Sequence, residues 1–212
     1  MRERGWKALR HIGLMGGSFN PIHLGHLNMG RAALQSGLVE QVLFLPSGNP
    51  PHKRAGLEDK RHRLAMARLA VEHENGMDIC TEEIDREGVI YTVDTLTILH
   101  EKMPGCRFHY LIGADTLCVL HTWRRAVDVI RLCAFLVVMR PGEDEAQVLA
   151  AAERWRALGA DISFLPARMM DISSTQIRER LQANKTLAGL VPPAVETYIR
   201  EYKLYQIHGE EA

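Results

Sequence analysis

The residues best suited to chemistry lie in one short stretch, Gly16-Gly17-Ser18-Phe19-Asn20-Pro21-Ile22-His23-Leu24-Gly25-His26. His23 and His26 are three residues apart, so in the first turn of a helix they would share one face. Gly25 between them keeps that face open. Two imidazoles in this position can donate hydrogen bonds to oxygens that gain charge during phosphoryl transfer. The spacing therefore predicts a catalytic histidine pair.

The two glycines that open this stretch follow a short apolar run, Ile12–Met15. Glycine lets the backbone approach a ligand closely and exposes N–H groups to phosphate, and a helix N-terminus adds partial positive charge there. A tight turn without a ligand is the structural alternative. Two common phosphate motifs are excluded, because Pro21 stands where G-x-G-x-x-G needs its third glycine and no G-x-x-x-x-G-K-[ST] occurs.

A second candidate stretch, Asp171-Ile172-Ser173-Ser174-Thr175-Gln176-Ile177-Arg178, opens a late helix. Ser173 with Gln176 three residues on fits a capping box, which is a purely structural role. Arg178 adds a permanently charged fork beside a hydroxyl-rich helix start, and that combination suits a triphosphate.

The elements that must position these residues alternate along the chain. Apolar patterns predict strands near 12–15, 41–45, 77–84, 108–112, 134–139 and 162–165, and helical patterns lie near 24–36, 60–73, 92–103, 143–158, 173–182 and 193–202. Thr92 is the predicted N-cap of the third of these helices. Such alternation predicts an α/β fold with a doubly wound parallel sheet covered by helices on both faces. We expect one domain over 1–212, with a small helical C-terminal part near 170–206.

Composition narrows the class of protein. The chain has 212 residues, with 26 Lys and Arg against 26 Asp and Glu, and this zero net charge argues against general nucleic-acid or membrane-surface binding. The basic stretch 52–68 is predicted to be an ordinary amphipathic helix with a solvated basic face that includes Arg63. There is no apolar run of membrane-spanning length. Four cysteines without a C-x-x-C pair favour a reduced, cytoplasmic protein with no metal site of its own.

The two stretches carry a resemblance to a known family. The first is similar to the H-x-G-H signature of the nucleotidyltransferase superfamily, and the second to its I-S-S-T-x-x-R signature. The resemblance implies a Rossmann-like fold, catalytic roles for His23, His26 and Arg178, and ATP phosphates bound by both motifs. The ATP-binding residues it implies are Gly16, Gly17, Ser18, Phe19, His23, His26, Gly113, Asp115, Ile172, Ser173, Ser174, Thr175 and Arg178. Asn20 departs from the pattern, because many relatives carry Asp there.

Further segments between about residues 11 and 206 resemble the bacterial nicotinate mononucleotide adenylyltransferases. The resemblance implies transfer of AMP from ATP to nicotinate mononucleotide, with Mg²⁺ held mainly by the ATP phosphates. Gly113 and Asp115 would meet the ATP ribose, Trp123 would stack on the pyridine ring, and Thr92 would hold the nicotinate carboxylate. The acceptor-binding residues it implies are Ser47, Lys53, Tyr91, Thr92, Trp123 and Arg140. Arg124 departs from the pattern, because some members have Tyr there.

Other functions stay open at this point. A related adenylyltransferase would act on pantetheine phosphate or on nicotinamide mononucleotide. A non-catalytic nucleotide sensor or an RNA-binding module could use the same fold, although the intact histidines and Arg178 argue against a sensor. The sequence also leaves open whether the chain forms a homo-oligomer.

Overall fold

Six parallel strands form one sheet in the computed structural model, which describes residues 10–48, 56–139, 142–168 and 170–206. The strands are β1 (Arg10–Gly17), β2 (Gln41–Pro46), β3 (Met77–Ile79), β4 (Cys106–Gly113), β5 (Ala134–Met139) and β6 (Ile162–Arg168). The helices are α1 (Leu24–Gln35), α2 (Lys60–Val71), α3 (Thr92–Lys102), α4 (Ala114–Cys118), α5 (Ala126–Leu132), α6 (Glu145–Ala157), α7 (Ser174–Gln182) and α8 (Pro193–Glu201). The predicted α/β class with a doubly wound parallel sheet is confirmed.

The order of the strands decides where a ligand can bind. The sheet runs β3-β2-β1-β4-β5-β6, so the chain reverses its direction of travel between β1 and β4. Sheets of this kind bind ligands in the crevice outside the carboxyl ends of the strands at that switch point. Gly16 and Gly17 end β1, and Gly113 ends β4. The sheet therefore brings the first motif and the Gly113 segment to the same crevice.

Helices cover both faces of the sheet and create two apolar layers. One layer joins the sheet to α1, α2, α7 and α8 through residues such as Phe44, Ala67, Ile177 and Ile199. The other joins it to α3–α6 through residues such as Leu96, Phe135 and Ala152. Because the C-terminal helices share a core with β1 and α1, the packing supports one domain, which stays a prediction.

Some predicted elements differ from the structure. The strand expected over 77–84 ends at Ile79, because the chain turns at Thr81, whose carbonyl accepts hydrogen bonds from the backbone N–H groups of Ile84 and Asp85. Short helices that were not expected, α4 and α5, lie between β4 and β5 together with a 3₁₀ turn over Leu120–Thr122. These segments have too few turns for a helical periodicity to stand out.

The prediction for Thr92 is wrong by one residue. Tyr91 has the extended backbone of an N-cap, and Thr92 is the first residue of α3. Thr92 therefore does not cap the helix with its own hydroxyl, which is turned to the buried hydroxyl of Tyr110 instead.

The solvated basic face predicted for α2 is wrong at Arg63. Its side chain is only 1% exposed and lies on the helix face formed by Met66, Ala67 and Ala70. That face has the i, i+3, i+4, i+7 spacing of a buried stripe, so the signal was present in the sequence, and the charge of arginine concealed it. The consequence of this burial is developed below.

None of the helices in the described part of the chain is long and apolar enough to cross a membrane.

All four cysteines are free thiols in the structure.

Half-buried His11 and buried His109 form a pair near the amino ends of β1 and β4, far along these strands from Gly16 and Gly113. His11 Nδ1 and His109 Nε2 are 2.9 Å apart, and His109 is 7% exposed. Burial, together with the nearby charges of His11 and Arg107, lowers the pKa of His109 from 6.5 to about 4. The folded protein therefore disfavours protonated His109.

We expect this depressed pKa to make stability depend on pH. As the pH falls through 6.5, His109 of the unfolded chain becomes protonated. In the folded protein the same side chain stays neutral until about pH 4, so protonation favours the unfolded chain. The free energy of unfolding should therefore fall by about 2 kcal/mol between roughly pH 8 and pH 5. Urea unfolding of wild type and His109→Gln measures the effect, and the variant should lose less. Exposed His73→Gln is the control, and an identical pH dependence for wild type and His109→Gln would contradict the prediction.

Candidate active site

The two histidines of the first motif form a stacked pair at the start of α1. His23 is the N-cap of α1. The centroids of the His23 and His26 rings are 3.7 Å apart, and the angle between the ring planes is 30°. His26 Nδ1 accepts a hydrogen bond from the backbone N–H of His23 at 3.2 Å. Because Nδ1 is an acceptor, the neutral His26 ring carries its proton on Nε2. The helix start thus fixes His26 as a donor through Nε2.

The neighbours of this pair hold both rings in place. The Phe19 ring is 1% exposed and packs edge-on against His26 with 5.0 Å between centroids. A Cβ on Gly25 would lie 3.0 Å from His23 Nδ1, so Gly25 leaves the room that the His23 ring occupies. Since the Phe19 side chain belongs to the core, only its backbone is available to a ligand.

The second motif packs directly against the first. Ser174 Oγ donates to the carbonyl of Pro21 at 2.9 Å, and Arg178 donates to the carbonyl of Asn20 at 2.8 Å. Ser173 is the N-cap of α7, and its Oγ accepts from the N–H of Gln176 at 3.1 Å, which is one of the two hydrogen bonds of the predicted capping box. Two segments about 150 residues apart in sequence therefore form one surface, which is the central prediction from the motifs.

The hydroxyl groups of the second motif also have local tasks. Thr175 Oγ1 accepts a hydrogen bond from Arg178 at 3.1 Å, and this bond holds the guanidinium at the start of the helix. Ile172 is half-buried and packs against the core layer that contains α7. The side chains of this motif thus build the surface, while the guanidinium fork supplies its charge.

The hydrogen bonds of Asn20 explain why this position departs from the family pattern. Its buried amide donates to the carbonyl of Gly56 at 2.9 Å and accepts from the N–H of Glu58 at 3.1 Å. A carboxylate has no proton to donate, so Asp could make only the second of these bonds. Asparagine is therefore the residue that fits the backbone present here.

Tyr110, which sequence reasoning missed, lies between the two halves of the crevice. Its hydroxyl occupies the space where a Cβ on Gly16 would lie, 2.1 Å away. Burial raises the pKa of this hydroxyl far above its ordinary value, and a hydrogen bond with Thr92 opposes the rise. The Trp123 ring packs edge-on against the Tyr110 ring with 5.6 Å between centroids. Tyr110 thus connects the glycine turn to two predicted acceptor-binding residues.

We expect Gly16→Ala to destabilise the protein by about 1–3 kcal/mol, because a methyl group there overpacks the buried Tyr110 hydroxyl. Adding Tyr110→Phe removes the atom that the methyl group would meet, and the next atom of that ring is 3.2 Å away. The double variant should therefore be more stable than Gly16→Ala alone in urea unfolding. A double variant no more stable than the single one would show that the strain lies elsewhere.

The predicted acceptor pocket is partly assembled. Half-buried Tyr91, Thr92 and Trp123 lie around Tyr110 and the start of α3. Arg124 stands at the position where the family resemblance would allow a tyrosine. Its guanidinium lies 4.7 Å from the centre of the Tyr91 ring, which places a positive charge beside the predicted acceptor pocket. Lys53 and Arg140, also predicted to bind the acceptor, lie outside the described residues.

The end of β2 forms the adjoining wall. The N–H of Ser47 donates to the carbonyl of Gly17 at 2.9 Å, which ties this segment to the glycine turn. Ser47 Oγ is buried and has no hydrogen-bond partner among the described residues. A buried hydroxyl without a hydrogen-bond partner lowers stability, and a ligand that accepts a hydrogen bond from Ser47 Oγ would remove that cost.

On the other side of the crevice, Gly113 ends β4 and Asp115 lies in the first turn of α4. Asp115 is exposed, and its Oδ1 accepts from the N–H of Thr116 at 2.8 Å. The carboxylate is thus held at the carboxyl end of β4, where it can accept hydrogen bonds from hydroxyl groups.

The donors at this site suit phosphate better than a bare metal ion. No group of three or more His, Cys, Asp or Glu side chains that could hold a metal occurs in the part of the chain that the structure describes. The crevice instead offers imidazole, guanidinium and backbone N–H groups, which donate to anions.

Comparison with known proteins identifies the family. The model of the cytidylyltransferase-like family matches residues 14–180. A probable nicotinate-nucleotide adenylyltransferase of Synechococcus sp. (strain JA-3-3Ab) is 40% identical over 198 residues, covering 92% of this chain and 95% of the relative. The chain belongs to the nicotinate-nucleotide adenylyltransferase family. A relative of that name from Neisseria meningitidis serogroup C is 36% identical and covers 93% of this chain and 100% of its own length.

Solved structures agree on the fold. The nicotinic acid mononucleotide adenylyltransferase of Plasmodium falciparum, solved in complex with NaAD, superposes with a TM-score of 0.75. It is 18% identical and covers 92% of this chain and 97% of its own. The resemblance that the two motifs carry is therefore confirmed for the family and for the Rossmann-like fold, while the role of each residue stays a prediction.

Proposed function

We propose that this chain transfers AMP from ATP to nicotinate mononucleotide, forming deamido-NAD (nicotinate adenine dinucleotide) and pyrophosphate. The observation that carries the proposal is the contact between the two motifs at the switch point, where the His23–His26 pair and Arg178 share one surface. Its family membership supports the same activity, because relatives that are 40% and 36% identical to it are named probable nicotinate-nucleotide adenylyltransferases.

The chemistry requires little of the protein beyond position and charge. An oxygen of the acceptor 5′-phosphate attacks the α-phosphorus of ATP, and the bond to the β-phosphate oxygen breaks, so that pyrophosphate leaves with the electron pair. The attacking phosphate is already an anion, so no general base is needed. His26 Nε2, Arg178 and the backbone N–H groups of the glycine turn would stabilise the charge that grows on the phosphate oxygens.

The acceptor would lie over the start of α3. Trp123 would stack on the pyridine ring, and Thr92 with the first N–H groups of α3 would hold the nicotinate carboxylate. Arg124, stacked on Tyr91 beside them, adds a positive charge near the carboxylate position. We therefore expect nicotinate mononucleotide to be preferred over the amide form.

Further parts of the proposal concern the setting of the reaction. A divalent metal, which we propose is Mg²⁺, would be held by the ATP phosphates and would supply charge neutralisation there. We also propose a cytoplasmic location, in keeping with the four free cysteines. Formation of a homo-oligomer stays a prediction.

A pyrophosphate-release assay with ATP and Mg²⁺ tests the function. Nicotinate mononucleotide, nicotinamide mononucleotide and pantetheine phosphate are compared as acceptors, and kcat/KM should be highest for the first. Equal values for the two pyridine nucleotides would contradict the proposed carboxylate recognition. A preference for pantetheine phosphate would contradict the function, and ATP binding without pyrophosphate would indicate a sensor.

A further inference from the structure

Arg63 makes hydrogen bonds to three separate backbone segments from the buried face of α2. Its guanidinium donates to three backbone carbonyls: from Nε to Glu58 at 3.0 Å, and from its two terminal nitrogens to Ser18 at 2.6 Å and Gly48 at 2.9 Å. Burial lowers the pKa of this guanidinium, yet arginine remains charged at any physiological pH. A buried charge is costly without partners, so these bonds are required.

The three carbonyls belong to segments with different roles. Ser18 follows the glycine turn at the end of β1, where ATP phosphates are expected. Gly48 follows Ser47 at the end of β2, where the acceptor is expected, and Glu58 precedes α2. A single planar side chain therefore holds the ATP side and the acceptor side of the crevice at a fixed separation.

The Gly48 segment has little freedom on its other sides. A Cβ on Gly48 would lie 2.7 Å from the carbonyl oxygen of Glu83, so the backbones are in close contact there. The N–H of Ser47 donates to the carbonyl of Gly17 at 2.9 Å. The pairing of β1 with β2 continues to Gly17 and Pro46, and the Ser47 bond is the next link. Beyond Ser47, the hydrogen bond from Arg63 ties the Gly48 carbonyl to the segment after the glycine turn.

We propose that Arg63 is a positioning residue that sets the distance between the ATP-binding turn and the acceptor-binding segment. This inference rests on the proposed function, because it assigns those two segments to ATP and to nicotinate mononucleotide. A displaced acceptor-binding segment would contact nicotinate mononucleotide less well, so KM for that substrate should rise, and it would also misalign the bound acceptor, which can cost about 10²-fold in rate for a displacement of about 1 Å. A residue that only stabilised the fold would lower the active fraction and leave both KM values unchanged.

The experiment compares Arg63→Lys and Arg63→Ala with the same two substitutions at Arg61, an exposed arginine of the same helix. Lysine keeps the charge but lacks the planar fork that reaches several carbonyls at once. In the Arg63 variants we expect KM for nicotinate mononucleotide to rise about tenfold or more, with a smaller change in KM for ATP. The Arg61 variants should match wild type. Free guanidinium ion, well below denaturing concentrations, should restore KM in Arg63→Ala, whereas sodium chloride at equal ionic strength should not.

Two controls keep the outcomes distinct. Turnover of ATP and nicotinate mononucleotide by wild type is measured first and decides the proposed function alone. Amide exchange at Ser47, followed by NMR in wild type and Arg63→Lys, tests the link without turnover. Faster exchange at Ser47 with unchanged exchange in β5 supports the proposal. Unchanged Ser47 exchange, unchanged kinetics in Arg63→Lys, or a lower kcat with both KM values unchanged would overturn it.

Discussion

Replacing His26 by alanine is expected to lower kcat by about 10²–10³-fold, the usual cost of one donor to a charge that develops in the transition state. The expectation follows from the ring geometry. Nδ1 is occupied by the backbone N–H of His23 at 3.2 Å, so the proton lies on Nε2. Because that donor serves oxygens that gain charge only during the reaction, KM for ATP should change much less than kcat.

A second substitution separates catalysis from helix capping. Alanine at position 26 also removes the acceptor for the N-cap backbone, which is worth about 1 kcal/mol of stability. Asparagine reaches the position of Nδ1 and can keep that bond, but it does not reach the position of Nε2. We therefore expect His26→Asn to be more stable than His26→Ala in urea unfolding, because it keeps the cap bond, and still as slow as His26→Ala.

Exposed His73→Ala is the matched control, and its kcat should equal that of wild type. A near-normal kcat in His26→Asn would refute the donor role. Loss of activity that follows the loss of folded protein in His26→Ala, with full activity in His26→Asn, would assign His26 to capping alone.

The next largest effect is expected for Arg178. Removing its charged hydrogen bonds to the triphosphate should cost about 2–3 kcal/mol in transition-state binding, which is roughly 30–150-fold in kcat/KM for ATP. Arg178→Lys should recover only part of this, because an ammonium cannot replace a bidentate fork. Steady-state kinetics at varied ATP concentration measure both variants.

Arg178 also donates to the carbonyl of Asn20, so its structural contribution must be measured separately. Arg180 is a matched control on the same helix, because its Nε donates to the carbonyl of Thr186 at 3.0 Å. Arg180→Ala should lose comparable stability and keep its kcat/KM. Equal kinetic losses in Arg178→Ala and Arg180→Ala would show that Arg178 acts only through the fold.

Local patterns in the sequence were enough for most elements and for the identity of both motifs. Apolar runs and helical spacing report on backbone structure within a few turns, so β1, α1, β4 and α7 were predictable. Ser173 was predictable as a cap because capping depends on residues within one helical turn. The same reasoning placed the N-cap of α3 at Thr92, one residue late, since the backbone angles at Tyr91 and Thr92 leave no trace in residue types.

Residue types and local spacing were therefore enough to predict both motifs and the class of the fold. Which groups face each other was visible only in the three-dimensional packing. The strand order placed β1 beside β4, so Tyr110 could lie against Gly16. Packing buried Arg63 among carbonyls of residues up to 45 positions away. Such contacts depend on how distant segments pack, and a buried arginine with three carbonyl partners has the same residue letter as a solvated one.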